Sequence, residues 1–70
     1  MKVYTLEEAR LMHSIGIRMR CISDFPYFIK PASVLMQDKD HICCVDTRGY
    51  TFDSIKINED HNRWVKADDI

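Results

Sequence analysis

The chain has 70 residues, of which 46% are apolar, 10 are basic and 11 are acidic, giving a net charge of −1. This length predicts a single domain over residues 1–70, and the apolar fraction excludes a disordered chain. The near-neutral charge disfavours a nucleic-acid binder, which normally carries an excess of basic residues to neutralise phosphates.

The first ten residues, "MKVYTLEEAR", have no apolar core typical of a signal peptide, and no apolar run approaches the roughly 20 residues that span a bilayer. We therefore expect no membrane partner. Three cysteines without a secretory signal are typical of free thiols in the cytoplasm. Because a core of this size usually needs further stabilisation and disulfides are set aside, we also expect a homo-oligomer.

A helix is predicted over residues 6–15. Thr5 and Glu8 form a T-x-x-E capping box, in which each side chain satisfies a backbone N–H at the start of the helix. Gly16 follows where a left-handed residue would end the helix. The apolar residues that share one broad side of this helix are Ala9, Leu11, Met12 and Ile15.

Short strands follow, because the apolar period changes to two. "IRMRCIS" reads as a half-buried strand, and Pro26 in "DFPYF" interrupts it. A short strand over "YFIK" and another over "ASVLMQ" come next, with Val34 and Met36 on one side of the second. "DKD" predicts a polar turn, and residues 41–46 predict a further strand.

"DTRG" predicts a hairpin, since it has Asp at the first position of a type I turn and Gly at the fourth. With a left-handed glycine bulge, Cys44 lies opposite Phe52, and both share the core side with Ile42. A two-residue "RG" turn would shift the register by one and turn Phe52 away. "YTFDSIKI" is the return strand, with a break near Asp53, and "RWVKA" is a last short strand.

These elements predict an α+β domain. One N-terminal helix would pack on a strongly bent antiparallel sheet of five or six short strands, with a barrel-like closure as the extreme form of the bend.

"HICCVDT" raises the question of a metal or redox site. Adjacent residues of a strand point to opposite sides, so Cys43 and Cys44 cannot both reach one ion on a regular strand, and a C-x-x-C redox motif is absent. A zinc site would need convergence of residues far apart in the sequence, namely His13, Cys21, His41, Cys43 and His61. We predict a strand instead, with Cys44 in the core and Cys43 half-exposed. No catalytic motif, metal ligand or cofactor is assigned, so we expect no enzyme.

The candidate binding residues are Arg18 and Arg20 on one side of a strand, Tyr27, and Arg63 with Trp64. Arginine pairs with phosphate or carboxylate, and aromatic rings stack on bases or fill pockets of a partner. The alternative is structural: Phe25, Phe28 and Trp64 would form the core, and the arginines would lie on a solvated strand.

The same residues carry a resemblance. A helix with "TLEEA" and Ala9, then Gly16, a strand with Arg18 and Arg20, and an acidic loop closed by Trp64 resembles small bacteriophage proteins. It is most similar to the Thoeris anti-defence family, which sequesters cyclic ADP-ribose-type signals, and Asp60 is placed only loosely in its pattern. The resemblance implies a phage accessory protein in the cytoplasm of the host cell.

Three functions follow as expectations. The first is a non-enzymatic protein that inhibits or sequesters a host defence component through contact with a host protein. The second is a homo-oligomeric sponge for a cyclic nucleotide-type signal, with Arg18 and Arg20 on phosphates and Tyr27 or Trp64 on a base. The third is a zinc-stabilised nucleic-acid binder.

Overall fold

The computed structural model describes residues 2–23 and 32–69. Within these residues the chain has an α+β fold, as predicted, with one α-helix and one antiparallel sheet of five strands. The expected strand over "YFIK" and the residues Phe25, Pro26, Tyr27 and Phe28 lie outside the described residues. In chain order the elements are α1 (Leu6–Ser14), β1 (Met19–Cys21), β2 (Ser33–Met36), β3 (His41–Val45), β4 (Thr51–Lys56), β5 (Trp64–Lys66) and a 3₁₀ helix (Ala67–Asp69).

The ends of α1 follow the local sequence. The Glu8 N–H donates to Thr5 Oγ1 at 3.2 Å, and the Thr5 N–H donates to Glu8 Oε1 at 3.0 Å, which confirms the capping box. Asn62, distant in sequence, adds a further cap, because its Oδ1 accepts from the Leu6 N–H at 2.8 Å. Gly16 adopts φ +91°, the left-handed conformation expected after the last turn.

The apolar side of α1 is narrower than predicted. Ala9 is fully buried and Met12 packs on the core, but Leu11 and Ile15 are exposed. The helix of nine residues packs on β1 and β5, and so short a helix covers only a narrow stripe of the sheet. The expectation that Leu11 and Ile15 face the core is therefore wrong.

The sheet is open. Its strand order is β4-β3-β2-β1-β5, so β4 and β5 lie at the two edges and the expected extreme of barrel closure is not reached. Tyr4 covers part of the β5 edge, since its N–H donates to the Trp64 carbonyl at 2.7 Å and its carbonyl accepts from the Trp64 N–H at 3.0 Å. Among the described residues, β4 pairs with β3 alone.

The two sides of the sheet differ. The inner side packs against α1, and its buried residues include Met19, Val34, Ile42 and Trp64. The outer side carries the alternate residues of each strand. Cross-strand pairing places these in one row across four strands, namely Val65, Arg20, Leu35 and Cys43.

In the hairpin between β3 and β4 the predicted turn is confirmed, but the predicted strand register is wrong. The Gly49 N–H donates to the Asp46 carbonyl at 3.0 Å, and Gly49 has φ +90°, as the predicted type I turn with a glycine bulge requires. Val45 then pairs with Thr51 as expected, but Cys44 pairs with Asp53.

This shift leaves Phe52 without a cross-strand partner and 57% exposed. The prediction that Phe52 lies opposite Cys44 in the core is therefore wrong. A second bulge, which the turn sequence does not encode, moves the ring out of the core.

No helix within residues 2–23 and 32–69 is long and apolar enough to cross a membrane.

Candidate functional site

Strand β1 positions the first two candidate arginines. Met19 and Cys21 are buried on the inner side of the sheet, so the alternation of the strand places Arg18 and Arg20 on the outer side. Arg18 is exposed and Arg20 is half-buried. Their Cα atoms lie roughly 7 Å apart, because a strand advances about 3.3 Å per residue.

Arg63 joins them through the pairing of β1 with β5. Arg20 pairs with Val65, and the same register continues beyond the strand, where the Ile22 N–H donates to the Arg63 carbonyl at 2.9 Å. Arg63 is therefore the diagonal neighbour of Arg20, about 7–8 Å away between Cα atoms. We call Arg18, Arg20 and Arg63 the arginine face. It flanks the buried Val65 and the half-buried Leu35.

The arginine face has no internal counter-charge. Within the described residues its three side chains make no ion pair and no side-chain hydrogen bond, whereas the other two arginines are paired with aspartates: Arg10 with Asp40 at 3.9 Å and Arg48 with Asp46 at 3.1 Å. Arg20 has one cation on either side, Arg18 two positions before it in the chain and Arg63 diagonally across, and this row of charges creates a positive potential that attracts an anionic group. The arrangement can therefore bind carboxylates or phosphates.

Trp64 does not belong to this surface. It is fully buried on the inner side, and its Nε1–H donates to the His61 carbonyl at 2.7 Å. The indole is therefore a core residue, as the structural alternative expected, and it cannot stack on a ligand. Tyr27, the other predicted stacking residue, lies outside the described part of the chain.

The three thiols are buried. Cys44 lies in the core as predicted, but Cys43, which we expected to be half-exposed, is only 7% exposed. The prediction is wrong because β3 is a central strand whose three consecutive residues Ile42–Cys44 are all buried, so both of its faces are covered. Burial raises the pKa of the thiols of Cys21, Cys43 and Cys44, and the negative charge of Asp53 raises that of Cys44 further. All three are therefore held in the protonated form, which is a poor nucleophile.

Two of the three histidines of the zinc hypothesis, His41 and His61, make other contacts. His41 Nδ1 lies 3.1 Å from the Asp38 carboxylate, and His61 Nδ1 accepts from the Asn58 N–H at 3.0 Å. In residues 2–23 and 32–69, no group of three or more His, Cys, Asp or Glu side chains is arranged to hold a metal ion.

We compared the chain with known proteins. No family model, no curated protein and no solved structure matches it.

The sequence did not predict that two aromatic side chains are exposed at the tip of the β3–β4 hairpin. Tyr50 is 67% exposed and Phe52 57% exposed, and the sequence placed Phe52 in the core. The available signal was Asp53, because a carboxylate inside a strand indicates an irregular edge rather than a regular, half-buried one.

Proposed function

We propose that this chain is a non-enzymatic binding protein of phage accessory type, which acts in the host cytoplasm and inhibits or sequesters a host defence component through protein–protein contact. The observation that carries the proposal is the arginine face, with three guanidinium groups on one side of the sheet that make no ion pair within residues 2–23 and 32–69. A protein with acidic side chains on its surface would neutralise this charge.

The surroundings of the arginine face favour a protein surface over a small nucleotide. Arg20 lies beside the half-buried Leu35, so a guanidinium group adjoins a partly accessible apolar side chain, whereas Val65 on the other side of Arg20 is fully buried. Such a mixture is typical of protein interfaces, where arginine is enriched. Of the two residues expected to stack on the base of a nucleotide, Trp64 is not accessible, and Tyr27 lies outside the described residues.

The buried thiols support a binding role over catalysis. A nucleophilic cysteine needs a lowered pKa and access to substrate, and here burial has the opposite effect on both.

The experiment is affinity capture from a bacterial lysate followed by measurement of binding to the captured protein. Arg18→Glu and Arg63→Glu should each weaken binding by at least roughly tenfold, because an interface centred on a charge is sensitive to its reversal. The effect should shrink in high salt. Lys39→Glu is the matched control, since it makes the same change of charge in the exposed turn between β2 and β3. Equal binding by all three variants would contradict the proposal.

The cyclic nucleotide sponge remains the alternative, because phosphates would also neutralise the arginine face. Cyclic ADP-ribose should then raise the melting temperature, with a shift that grows with the logarithm of its concentration above Kd, and Arg20→Ala should abolish the shift. No shift in melting temperature up to millimolar nucleotide, together with capture of a protein, would exclude the sponge.

Self-association stays a prediction, and a strict monomer in sedimentation at micromolar concentration would contradict it.

A further inference from the structure

The three residues of the arginine face form a row along the direction of β1. Arg18 and Arg20 are two positions apart in the chain, and Arg63 lies level with Ile22, because the Ile22 N–H donates to the Arg63 carbonyl at 2.9 Å. Each step of the row therefore advances about 6.6 Å along the strand, which is twice the rise per residue. The row as a whole covers about 13 Å in that direction.

The described residues that pair with the row, or lie within it, are uncharged. They are Ala67 beside Arg18, Val65 and Leu35 beside Arg20, and Ile22 beside Arg63. Val65 is buried, whereas Leu35 and Ile22 are half-buried and leave apolar surface next to the charges. Such surface lowers the local dielectric constant and so strengthens the attraction between a guanidinium group and an anion.

The length of the row distinguishes between two forms of an acidic partner. In an extended chain every second side chain points to the same side, so carboxylates at i, i+2 and i+4 cover about 13 Å. In a helix the side chains at i, i+4 and i+7 share one side but cover only about 10.5 Å, and the side chain at i+8 is turned about 80° away from the first. The extended chain matches the row, and the helix does not.

We propose that the arginine face binds an extended acidic segment of a protein partner, with Asp or Glu at every second position. The inference rests on the proposed function, because it names the kind of segment that the partner presents. Each carboxylate pairs with one guanidinium group, whose planar fork of N–H donors fits two carboxylate oxygens. The residues between the carboxylates point away from the sheet and are therefore free to vary.

The test uses three fluorescein-labelled peptides of one composition, each with three glutamates among serines and threonines, and measures their binding to the full chain by fluorescence anisotropy in low salt. The glutamates are alternate in the first peptide, consecutive in the second, and at i, i+4 and i+7 in the third. Since net charge is the same, a difference in affinity reports the spacing. The alternating peptide should bind about threefold more tightly, because it alone pairs with all three arginines.

Variants at the two ends of the row connect this binding to the arginine face. Arg18→Gln and Arg63→Gln should each weaken binding of the alternating peptide about threefold and remove its advantage over the other two. Lys39→Gln is the matched control, since it removes one positive charge from the exposed turn between β2 and β3, and it should leave binding unchanged. Urea unfolding checks that each variant is folded.

Four results would overturn the inference. Equal affinity for the three peptides would mean that net charge alone attracts the ligand, and tightest binding of the third peptide would indicate a helix. Tighter binding of a single-stranded tetranucleotide, which has the same three negative charges, would indicate nucleic acid. Absence of binding by every peptide at millimolar concentration would exclude an acidic segment of any form.

Competition against the protein captured from the lysate separates this inference from the proposed function. The alternating peptide should displace that protein at a lower concentration than the consecutive peptide does. If Arg18→Glu weakens binding of the captured protein but the three peptides displace it equally, the extended segment is wrong and the proposed function stands. If the alternating peptide binds through the row but no captured protein depends on the arginines, the proposed function is wrong and the preference for an extended acidic segment stands.

Discussion

At the scale of the residue, His61 shows how a polar side chain becomes part of a small core. It is buried among the residues that close the loop between β4 and β5, its Nδ1 accepts from the Asn58 N–H, and its carbonyl receives the indole N–H of Trp64. The ring therefore links the loop to the largest buried side chain. Because Nδ1 is used as an acceptor, the neutral imidazole fits this position and the protonated one does not.

We expect stability to fall on mild acidification because of His61. Burial lowers the pKa of His61 in the folded protein, so below its ordinary value near 6.5 the unfolded chain takes up a proton that the folded chain does not. The free energy of unfolding is then highest above pH 6.5 and decreases as the pH falls through 6.5 toward the folded pKa. Urea unfolding followed by Trp64 fluorescence between pH 7.5 and 5.5 measures this.

The control for this prediction is His61→Gln, which keeps a side-chain acceptor for the Asn58 N–H but cannot titrate. Its urea midpoint should change less with pH than that of the unchanged protein. Parallel pH dependence of the two proteins would show that other groups are responsible.

At the scale of the element, the sequence was most informative where a few neighbouring residues decide the geometry. The capping box of α1 and the glycine that ends it are local devices, as is the turn Asp46–Gly49, and all three formed as predicted. The register of β4 was predicted wrongly because it depends on which side chains the sheet can bury. The bulge at Phe52 lets Ile55 pair with Ile42 on the inner side while Asp53 stays exposed.

Gly49→Ala should lower the free energy of unfolding by about 1 kcal/mol, because an L side chain is strained at φ +90°. No heavy atom lies within 4 Å of the Cβ position, so backbone strain is the sole cause expected. Gly49→Asn should recover part of the loss, since asparagine tolerates the left-handed region. Urea unfolding compares the three proteins, and equal losses for Ala and Asn would point to a cause other than backbone strain.

At the scale of the whole molecule, charge is distributed unevenly although the net charge is only −1. Arg10 and Arg48 are neutralised by aspartates, whereas no carboxylate in the described part of the chain pairs with the arginine face. The chain has 11 acidic residues, more than its arginines, so the fold and not the composition decides which arginines find a carboxylate. Sheet topology brings Arg63 beside Arg20 across more than 40 positions of sequence.

The arginine face predicts that removing one of its charges raises the free energy of unfolding. Arg18→Gln should raise the free energy of unfolding by about 0.5 kcal/mol in low salt, because it relieves repulsion from the neighbouring Arg20. The gain should vanish near 1 M salt, where charges are screened over about 3 Å. Arg10→Gln should instead destabilise, since Arg10 Nε donates to the Lys39 carbonyl at 2.7 Å. A loss of stability in Arg18→Gln would mean that the guanidinium contributes to packing.

The sequence by itself determined the α+β class, the ends of the helix, the hairpin turn and the strand nature of "HICCVDT". Each of these depends on periodicity or on contacts between residues a few positions apart. Tertiary structure alone decided that Trp64 is core, that Cys43 is covered, that Phe52 is exposed, and that Arg63 joins Arg18 and Arg20. The reason is that burial and cross-strand neighbours are set by how the strands stack in the order β4-β3-β2-β1-β5, which no local pattern encodes.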